Sequence, residues 1–345
     1  DHIAQQLRDG AASTYTEIVG RADLRAALAA DLTTRYGAAL DADDVMITAG
    51  CNQAFCAAID AIAGAGDNVI LPVPYYFNHD MWLQIRSVEA RYLTVDRATG
   101  MVPDPAALDA LIDGRTRAIM LVTPNNPSGA IAPPETIAHF YRIAQKHGIA
   151  LILDETYRDY APADASPHAL FSDPDWRDTV VHLYSFSKAY SLTGYRVGAL
   201  ACGGAIRDNA IKIQDCVQIC APHIGQLAAL YALQNLQAWK QAAADAMAAR
   251  GDAFRAAFAA ADTGFTLESV GAYFAYVRHP FAAPAEAVAA RLARDHGIVT
   301  LPGTFFGPGQ EQHLRLAMSN VTEARLPELV DRLQTATATG SQTAA

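Results

Sequence analysis

Short apolar runs alternate with amphipathic helical segments between residues 45 and 202, and this alternation constrains the fold more than any other feature of the chain. Runs that are apolar throughout are typical of parallel strands covered on both faces. Segment 135–147 shows the intervening pattern, because Ile137, Phe140 and Ala144 recur at helical spacing. The repetition predicts an α/β fold, with a parallel sheet between two layers of helices. The predicted strands are 45–48, 68–71, 90–95, 117–122, 149–153, 180–184 and 197–201.

A second, smaller unit follows the predicted sheet. After about residue 221 the chain becomes rich in Ala, Leu and Gln, and then shows only a few short strand patterns. We therefore predict a large α/β domain from residues 17–225 and a smaller α+β domain from residues 1–16 and 226–334. Residues 335–345 are all small or polar, and we expect them to form a flexible tail.

The composition excludes several classes of function. Of the 345 residues, 51% are hydrophobic and 18% are charged, which supplies a core and excludes disorder as the main state. The formal net charge is −10 and no cluster of Lys and Arg appears, so we expect no nucleic-acid partner. No apolar run approaches the ~20 residues of a membrane-spanning helix, so we expect no membrane partner.

Cysteine usage indicates a reducing compartment. The five cysteines are an odd number spread over a long chain, and no apolar signal segment follows Asp1, so we predict a cytoplasmic protein. Cys216, Cys220 and His223 are conceivable metal ligands. A Cys-x3-Cys pair on an apolar helical stretch more often faces a core, so we predict no metal site.

Lys188 is the lysine whose position suggests chemistry. It follows a predicted strand directly and lies among hydroxyl side chains, whereas Lys146, Lys212 and Lys240 belong to ordinary helical patterns. Ligands of α/β sheets bind at the carboxyl ends of the parallel strands, where Lys188 is expected. Taken alone, it could equally be a surface-loop lysine.

Polar residues also follow other predicted strands. Asp154 ends an apolar strand, and a buried carboxylate there needs a cationic partner, a metal or water. Tyr157 lies three residues further on. Asn126 belongs to the segment Pro-Asn-Asn-Pro-Ser-Gly at 124–129, whose composition is also that of a simple tight turn.

A third group of residues fits an anion. The first predicted strand leads into the start of a helix, where backbone amides are free to bind a phosphate. Arg196, eight residues beyond Lys188, is expected to return to the same crevice and pair with that anion. The predicted phosphate-binding residues are Gly50, Cys51, Asn52, Ser185, Ser187 and Arg196.

Together these groups describe one ligand, pyridoxal 5′-phosphate. Its phosphate matches the anion site and its basic ring nitrogen matches Asp154. Its phenolic oxygen matches Asn126 and Tyr157, and its aldehyde matches Lys188. The chain resembles the class I/II aminotransferase family of fold-type I pyridoxal-phosphate enzymes across about residues 15 to 330. The motifs that carry the resemblance are the segment 124–129, Asp154-Glu155-x-Tyr157, Ser185-x-Ser187-Lys188, Gly194-x-Arg196-x-Gly198 and Leu314-Arg315-Leu316.

The resemblance implies further roles. It implies a mostly parallel seven-stranded sheet, and a homodimer with shared active sites in which Tyr15 reaches the partner's phosphate. Tyr76 would stack on the cofactor ring. Arg315, together with Asn126, would bind the α-carboxylate of the substrate, where a lysine would be a poor substitute. Without the resemblance, Tyr15 and Tyr76 are also explained as a surface tyrosine and a core tyrosine.

The reaction implied by the resemblance is transamination between an L-amino acid and a 2-oxo acid, through an internal aldimine with Lys188. The freed lysine would act as general base, and Asp154 would keep the ring nitrogen protonated. Other reactions on the same scaffold remain open: a C–S lyase, a decarboxylase or a cyclopropane-carboxylate synthase. A non-catalytic regulator is a further alternative, although such regulators carry a DNA-binding module that this sequence does not show.

Asn52 bears on the substrate. In one group of similar bacterial aspartate aminotransferases, a lysine at the matching position helps to bind the distal carboxylate, so Asn52 weakens a dicarboxylate assignment. Tyr15, Tyr76 and Tyr190, with the Phe305-Phe306 loop, favour an aromatic or other uncharged side chain as a hypothesis.

Overall fold

The computed structural model describes residues 2–95, 97–162 and 166–340. Its larger sheet has seven strands: β1 (Val45–Thr48), β2 (Asn68–Val73), β3 (Glu89–Thr94), β4 (Thr116–Val122), β5 (Ala150–Asp154), β6 (Val180–Ser185) and β7 (Gly198–Ala201). The strand order is β1-β7-β6-β5-β4-β2-β3. Neighbouring strands are parallel except where β7 pairs antiparallel with both β6 and β1. The predicted mostly parallel seven-stranded sheet is therefore confirmed.

The second sheet is antiparallel throughout, with the order β10-β11-β9-β8. Its strands are β8 (Thr266–Gly271), β9 (Phe274–Arg278), β10 (Leu301–Pro302) and β11 (His313–Ala317). The helices of the described residues are α1 (His2–Arg8), α2 (Ala22–Tyr36), α3 (Cys51–Ile62), α4 (Phe77–Ile85), α5 (Pro134–His147), α6 (Phe186–Ala189), α7 (Gly204–Gln218), α8 (His223–Asn235), α9 (Gln237–Ala260), α10 (Ala285–His296) and α11 (Leu326–Gly340).

The apolar strands explain why helices cover both faces of the larger sheet. Side chains alternate between the two faces of a strand. In β4, Ile119 and Leu121 belong to one buried cluster, while Ala118 and Met120 belong to the other. Because both clusters are closed to solvent, the polar groups that follow these strands are concentrated at the open carboxyl edge of the sheet.

The packing of α8 bears on the predicted domain boundary at residues 225/226. Ala229, Ala232 and Leu233 belong to the same buried cluster as Leu24 and Leu28 of α2, beneath the larger sheet. The chain therefore passes from the core of the larger sheet to the core of the smaller sheet near the junction of α8 and α9. The division into two domains stays a prediction.

The expected tail differs from the structure over part of its length. Helix α11 continues to Gly340, and Ala336 is fully buried against the smaller sheet's core, so the expectation of a flexible segment is wrong for residues 335–340. The small residues Ala and Thr pack there without needing a long apolar side chain. Residues 341–345 lie outside the described residues.

The described ranges show neither a membrane-spanning helix nor a cluster of metal ligands. No helix there has the length and apolar character to cross a membrane. The same residues contain no group of three or more His, Cys, Asp or Glu side chains placed to hold a metal ion. Of the conceivable metal ligands, Cys216 is exposed whereas Cys220 is buried.

Candidate active site

A cavity of about 680 Å³ opens at the carboxyl edge of the larger sheet, on the side approached by the smaller sheet. It gathers residues that are more than 260 positions apart in the chain. The sequence-predicted residues that line it are Cys51, Asn52, Tyr76, Asn126, Asp154, Tyr157, Ser185, Ser187, Lys188, Arg196 and Arg315. Gly50 is not part of the lining but lies against the Arg196 guanidinium, which is. Tyr15 is 75% exposed and does not line the cavity of its own chain.

Asp154 is a buried carboxylate at the end of β5. Its Oδ1 accepts a hydrogen bond of 2.9 Å from the backbone N–H of Thr156, and its Oδ2 lies 3.5 Å from His79 Nε2. The Cys51 thiol lies 3.7 Å from Oδ1. Burial raises the pKa of Asp154, but His79 and the Thr156 amide together outweigh burial and leave it below its ordinary value. Asp154 is therefore ionised at neutral pH.

His79 is a site residue that the sequence reasoning missed. It lies in the first turn of α4, is 2% exposed, and contacts the rings of Phe55 and Tyr76 at centroid distances of 4.2 and 5.2 Å. The only sequence signal was its position three residues after Tyr76. Because the approach of His79 to Asp154 at the end of β5 depends on tertiary packing, that spacing did not connect the two residues.

The anion-binding end of the cavity is built around Gly50. Gly50 has φ +88°, and a Cβ at this position would collide with the Arg196 guanidinium, lying 3.1 Å from Arg196 Cζ. The start of α3 is therefore bare backbone facing an arginine. Ser185 and Ser187, at the end of β6 and the start of α6, line the same cavity.

Arg315 reaches the cavity from β11 of the smaller sheet. Its Nη1 donates a hydrogen bond of 2.8 Å to Asn126 Oδ1, across the gap between the two sheets. Phe274 and Phe306 contact the guanidinium at 4.7 and 5.3 Å from their ring centroids. Arg315 Nε is buried and has no hydrogen-bond partner within the described chain. Such an unsatisfied donor points to an acceptor supplied by a ligand.

Lys188 lies in α6, one turn beyond β6. Burial lowers the pKa of its ammonium group, and the nearby charges of Arg315 and Arg196 lower it further. The amine is therefore easier to deprotonate than an exposed lysine. Its Nζ lies 6.0 Å from the ring centroid of Tyr273. Tyr273 lines the cavity and is a second site residue that the sequence reasoning missed.

Two tyrosines complete the lining. Tyr157 is 5% exposed and makes edge contacts with Tyr273 and Phe274 at 5.5 and 5.3 Å. Burial raises the pKa of Tyr157 and of Tyr76, so both phenols remain protonated hydrogen-bond donors at neutral pH. Tyr190, which we expected near the substrate, instead belongs to the buried cluster beneath the sheet and does not line the cavity.

The charges of the cavity are unbalanced. Lys188, Arg196 and Arg315 line it, and none of them has a carboxylate within 4.0 Å among the residues that the structure describes. Among the described residues of the lining, Asp154 is the single acidic one. Three cations facing one anion favour a ligand with more than one negative group.

Comparisons with known proteins agree with this geometry. The sequence profile of the family described as "Aminotransferase class I and II" matches residues 1–333, and the chain belongs to this family. The aromatic aminotransferase ISS1 of Arabidopsis thaliana is 29% identical over 342 residues, which cover 97% of this chain and 84% of the relative. The arginine–pyruvate transaminase AruH of Pseudomonas aeruginosa is 30% identical over 307 residues, which cover 88% of this chain and 77% of the relative.

A solved structure shows the same fold. The aspartate aminotransferase from Thermus thermophilus with maleate superposes with a TM-score of 0.87 at 25% identity, covering 97% of this chain and 87% of that chain. Members of the family depend on pyridoxal phosphate. The sequence-based predictions of the family, the fold class, the cofactor and a transaminase activity are therefore confirmed.

Proposed function

We propose that this enzyme transfers the amino group of an L-amino acid with an uncharged side chain to a 2-oxo acid, using the residues of the cavity described above. The observation that carries the proposal is the set of three cations in the cavity that have no carboxylate partner in the described part of the chain. Arg196 faces the bare start of α3, Arg315 donates a hydrogen bond to Asn126, and both arginines share the cavity with the amine of Lys188. This arrangement supplies two anion sites and a deprotonatable amine.

The residues present fit pyridoxal phosphate. The amides at Gly50, Cys51 and Asn52 suit its phosphate, together with the Ser185 and Ser187 hydroxyls and Arg196. The ionised Asp154 suits its protonated ring nitrogen, while Asn126 and Tyr157 suit its ring oxygen and Tyr76 its ring face. When bound, the cofactor supplies an electron sink for the bond being broken at the substrate's α-carbon.

The chain's own residues supply positioning and proton transfer. Arg315 offers its unsatisfied Nε and a second N–H to the α-carboxylate, and Asn126 fixes the orientation of the guanidinium. Lys188 Nζ, with its lowered pKa, removes the α-proton and returns a proton later in the reaction. Asp154 remains ionised and would keep a proton on the cofactor's ring nitrogen.

The lining of the cavity supports an uncharged substrate side chain. Lys188, Arg196 and Arg315 are the cations that line it in the described part of the chain, and each already has a role. No further cation there is free to pair with a distal carboxylate, and Asn52 is neutral. Tyr273 and Phe274 add aromatic surface. A relative named an aromatic aminotransferase is consistent with this assignment.

We expect purified holoenzyme to convert phenylalanine, methionine or glutamine to the corresponding 2-oxo acid at least about tenfold faster than aspartate, because a desolvated distal carboxylate would lack a partner. The measurement is a single-turnover absorbance change with each amino acid, without an added 2-oxo acid, combined with detection of the product. Faster turnover of aspartate would contradict the substrate assignment. Release of ammonia without consumption of a 2-oxo acid acceptor would instead identify a lyase.

A single substitution tests the same assignment in the opposite direction. We expect Asn52→Lys to raise kcat/KM for aspartate relative to phenylalanine by about tenfold, because it adds a cation to the lining next to Tyr76. Asn52→Gln is the matched control, since it lengthens the side chain without adding charge. An unchanged ratio in Asn52→Lys would show that the substrate side chain does not approach residue 52.

We also propose a cytoplasmic homodimer in which Tyr15 contributes to the partner's site. The exposure of Tyr15, away from the cavity of its own chain, supports such a role. All five cysteines are free, which supports a reducing compartment. Light scattering that found a fully active monomer would overturn the shared site.

A further inference from the structure

We infer that Tyr160 and Tyr273 act together as a positioning pair that fixes the main chain of Lys188. The inference deepens the proposed function, and rests on it, because it concerns the lysine that the proposed function makes the proton carrier. Tyr160 belongs to a 3-10 turn (Arg158–Tyr160) after β5, whereas Tyr273 lies between β8 and β9 of the smaller sheet. The two side chains therefore reach the lysine from different sheets.

The contacts converge on one carbonyl oxygen. The Tyr160 hydroxyl lies 2.8 Å and the Tyr273 hydroxyl 3.3 Å from Lys188 O, and the two hydroxyls are 2.6 Å apart. The backbone N–H groups of Tyr190 and Ser191 also approach the same oxygen, that of Ser191 at 3.4 Å. Carbonyl groups in the last turn of a helix lack intrahelical partners, and α6 is only four residues long. The Tyr160 hydroxyl is thus nearer to this oxygen than the Tyr273 hydroxyl or the Ser191 amide.

The direction of the hydrogen bonds among Tyr160, Tyr273 and Lys188 O follows from the single proton on each tyrosine hydroxyl. Burial raises the pKa of both tyrosines, so each hydroxyl is protonated at neutral pH and donates one hydrogen bond. The shortest arrangement has Tyr273 donating to Tyr160, and Tyr160 donating to Lys188 O. In this chain of two hydrogen bonds, Tyr160 makes the direct contact and Tyr273 orients it.

Tyr160 is held rigidly by its neighbours in the turn. Arg158 is 2% exposed and ion-pairs with Asp31, and its guanidinium stacks on Tyr184 at 4.0 Å. Asp159 pairs with Lys240 at 2.8 Å. These buried contacts fix the position of the turn, so the hydroxyl of Tyr160 is a stable reference point for α6. Tyr160 does not itself line the cavity.

Tyr273 is close in the chain to residues that contact Arg315 and the loop of Asn126, the proposed carboxylate-binding residues. It precedes Phe274, whose ring contacts the Arg315 guanidinium, and it follows Gly271, which lies against Gly129 in the loop that carries Asn126. The same hairpin therefore contacts the carboxylate-binding arginine and the lysine. Because a displacement of about 1 Å in a catalytic group can cost about 100-fold in rate, this link bears directly on turnover.

The test uses Tyr160→Phe, Tyr273→Phe and the double variant as holoenzymes, with a preferred amino acid from the donor panel. We expect Tyr160→Phe to lower kcat about tenfold with little change in KM, and Tyr273→Phe to lower it about threefold. The double variant should resemble Tyr160→Phe, because the two hydroxyls act in one chain. Tyr141→Phe, which removes another buried hydrogen-bonded tyrosine hydroxyl in α5, is the matched control and should retain wild-type kinetics.

A second readout does not require the cofactor. Hydrogen exchange of the amides in residues 186–191 of the cofactor-free protein should accelerate about fivefold in Tyr160→Phe and not in Tyr141→Phe. Unchanged exchange with unchanged kcat would overturn the inference, as would a loss confined to KM or multiplicative effects in the double variant. If Lys188 proved dispensable for transamination, the proposed function would fail while the exchange experiment still reported on the tyrosine pair.

Discussion

Replacing Lys188 by alanine is expected to lower kcat by about 10⁴-fold or more, because the variant loses both the covalent attachment of the cofactor and the group that moves the α-proton. Lys188→Arg should be similarly inactive, since a guanidinium stays protonated at any working pH. The lysine-dependent visible absorption band of the holoenzyme should be lost in both variants. Stopped-flow turnover and the absorption spectrum measure the two consequences separately.

Lys212→Ala is the matched control, because Lys212 is exposed on α7 and donates a hydrogen bond to Asn209 away from the cavity. Small primary amines in the buffer should restore part of the activity of Lys188→Ala, since the truncated side chain leaves space in a cavity of about 680 Å³. Turnover within tenfold of wild type in Lys188→Ala, with the band retained, would show that another group carries the cofactor and the proton.

Asp154→Asn is expected to lower kcat by about 10³-fold while changing KM far less, because it replaces the charge that keeps the ring nitrogen protonated with a neutral group of the same shape. The pKa of Asp154 is lowered, so its charge is lost only as the pH falls through that lowered pKa. Protonation of Asp154 should therefore not lower the kcat of the wild-type enzyme between about pH 5 and pH 8. The defect of the variant should be constant across that range.

Asp109→Asn is the control for removing a carboxylate, because Asp109 is exposed and pairs with Lys146 outside the site. Asp154→Glu should recover part of the lost activity, since it restores the negative charge on a side chain that is one methylene group longer. A pH-dependent defect in Asp154→Asn that vanished near neutrality would indicate that Asp154 is protonated in the working enzyme, contrary to the direction of its pKa. Circular dichroism would establish that both variants fold.

The larger sheet and most of the site could be predicted because they depend on local patterns. Asp154, Ser185 and Lys188 stand directly at the ends of apolar strands, so their meeting follows from the parallel order of those strands. His79 and Tyr273 were missed for the opposite reason. Their place at the site depends on how α4 and the β8–β9 hairpin pack, which no short sequence pattern contains.

The expectations that differ from the structure have a related cause. Tyr190 was expected near the substrate as one of several aromatic residues, but the chain directs this side chain into the core just after α6, where it is 3% exposed. The small residues of segment 335–340 indicated a flexible tail. They are instead the last turns of α11, because a helix that packs on a covered surface needs few large side chains.

The contact between Gly129 and Gly271 joins the two sheets through main-chain atoms alone. A Cβ on Gly129 would lie 2.8 Å from the Cα of Gly271, and one on Gly271 would collide with the Gly129 carbonyl. A methyl group at either position would push the two main chains apart and would thereby increase the distance between Asn126 and Arg315. Gly129 and Gly271 do not line the cavity. Their close contact nevertheless sets the distance between Asn126 and Arg315, and a substrate carboxylate has to fit that distance.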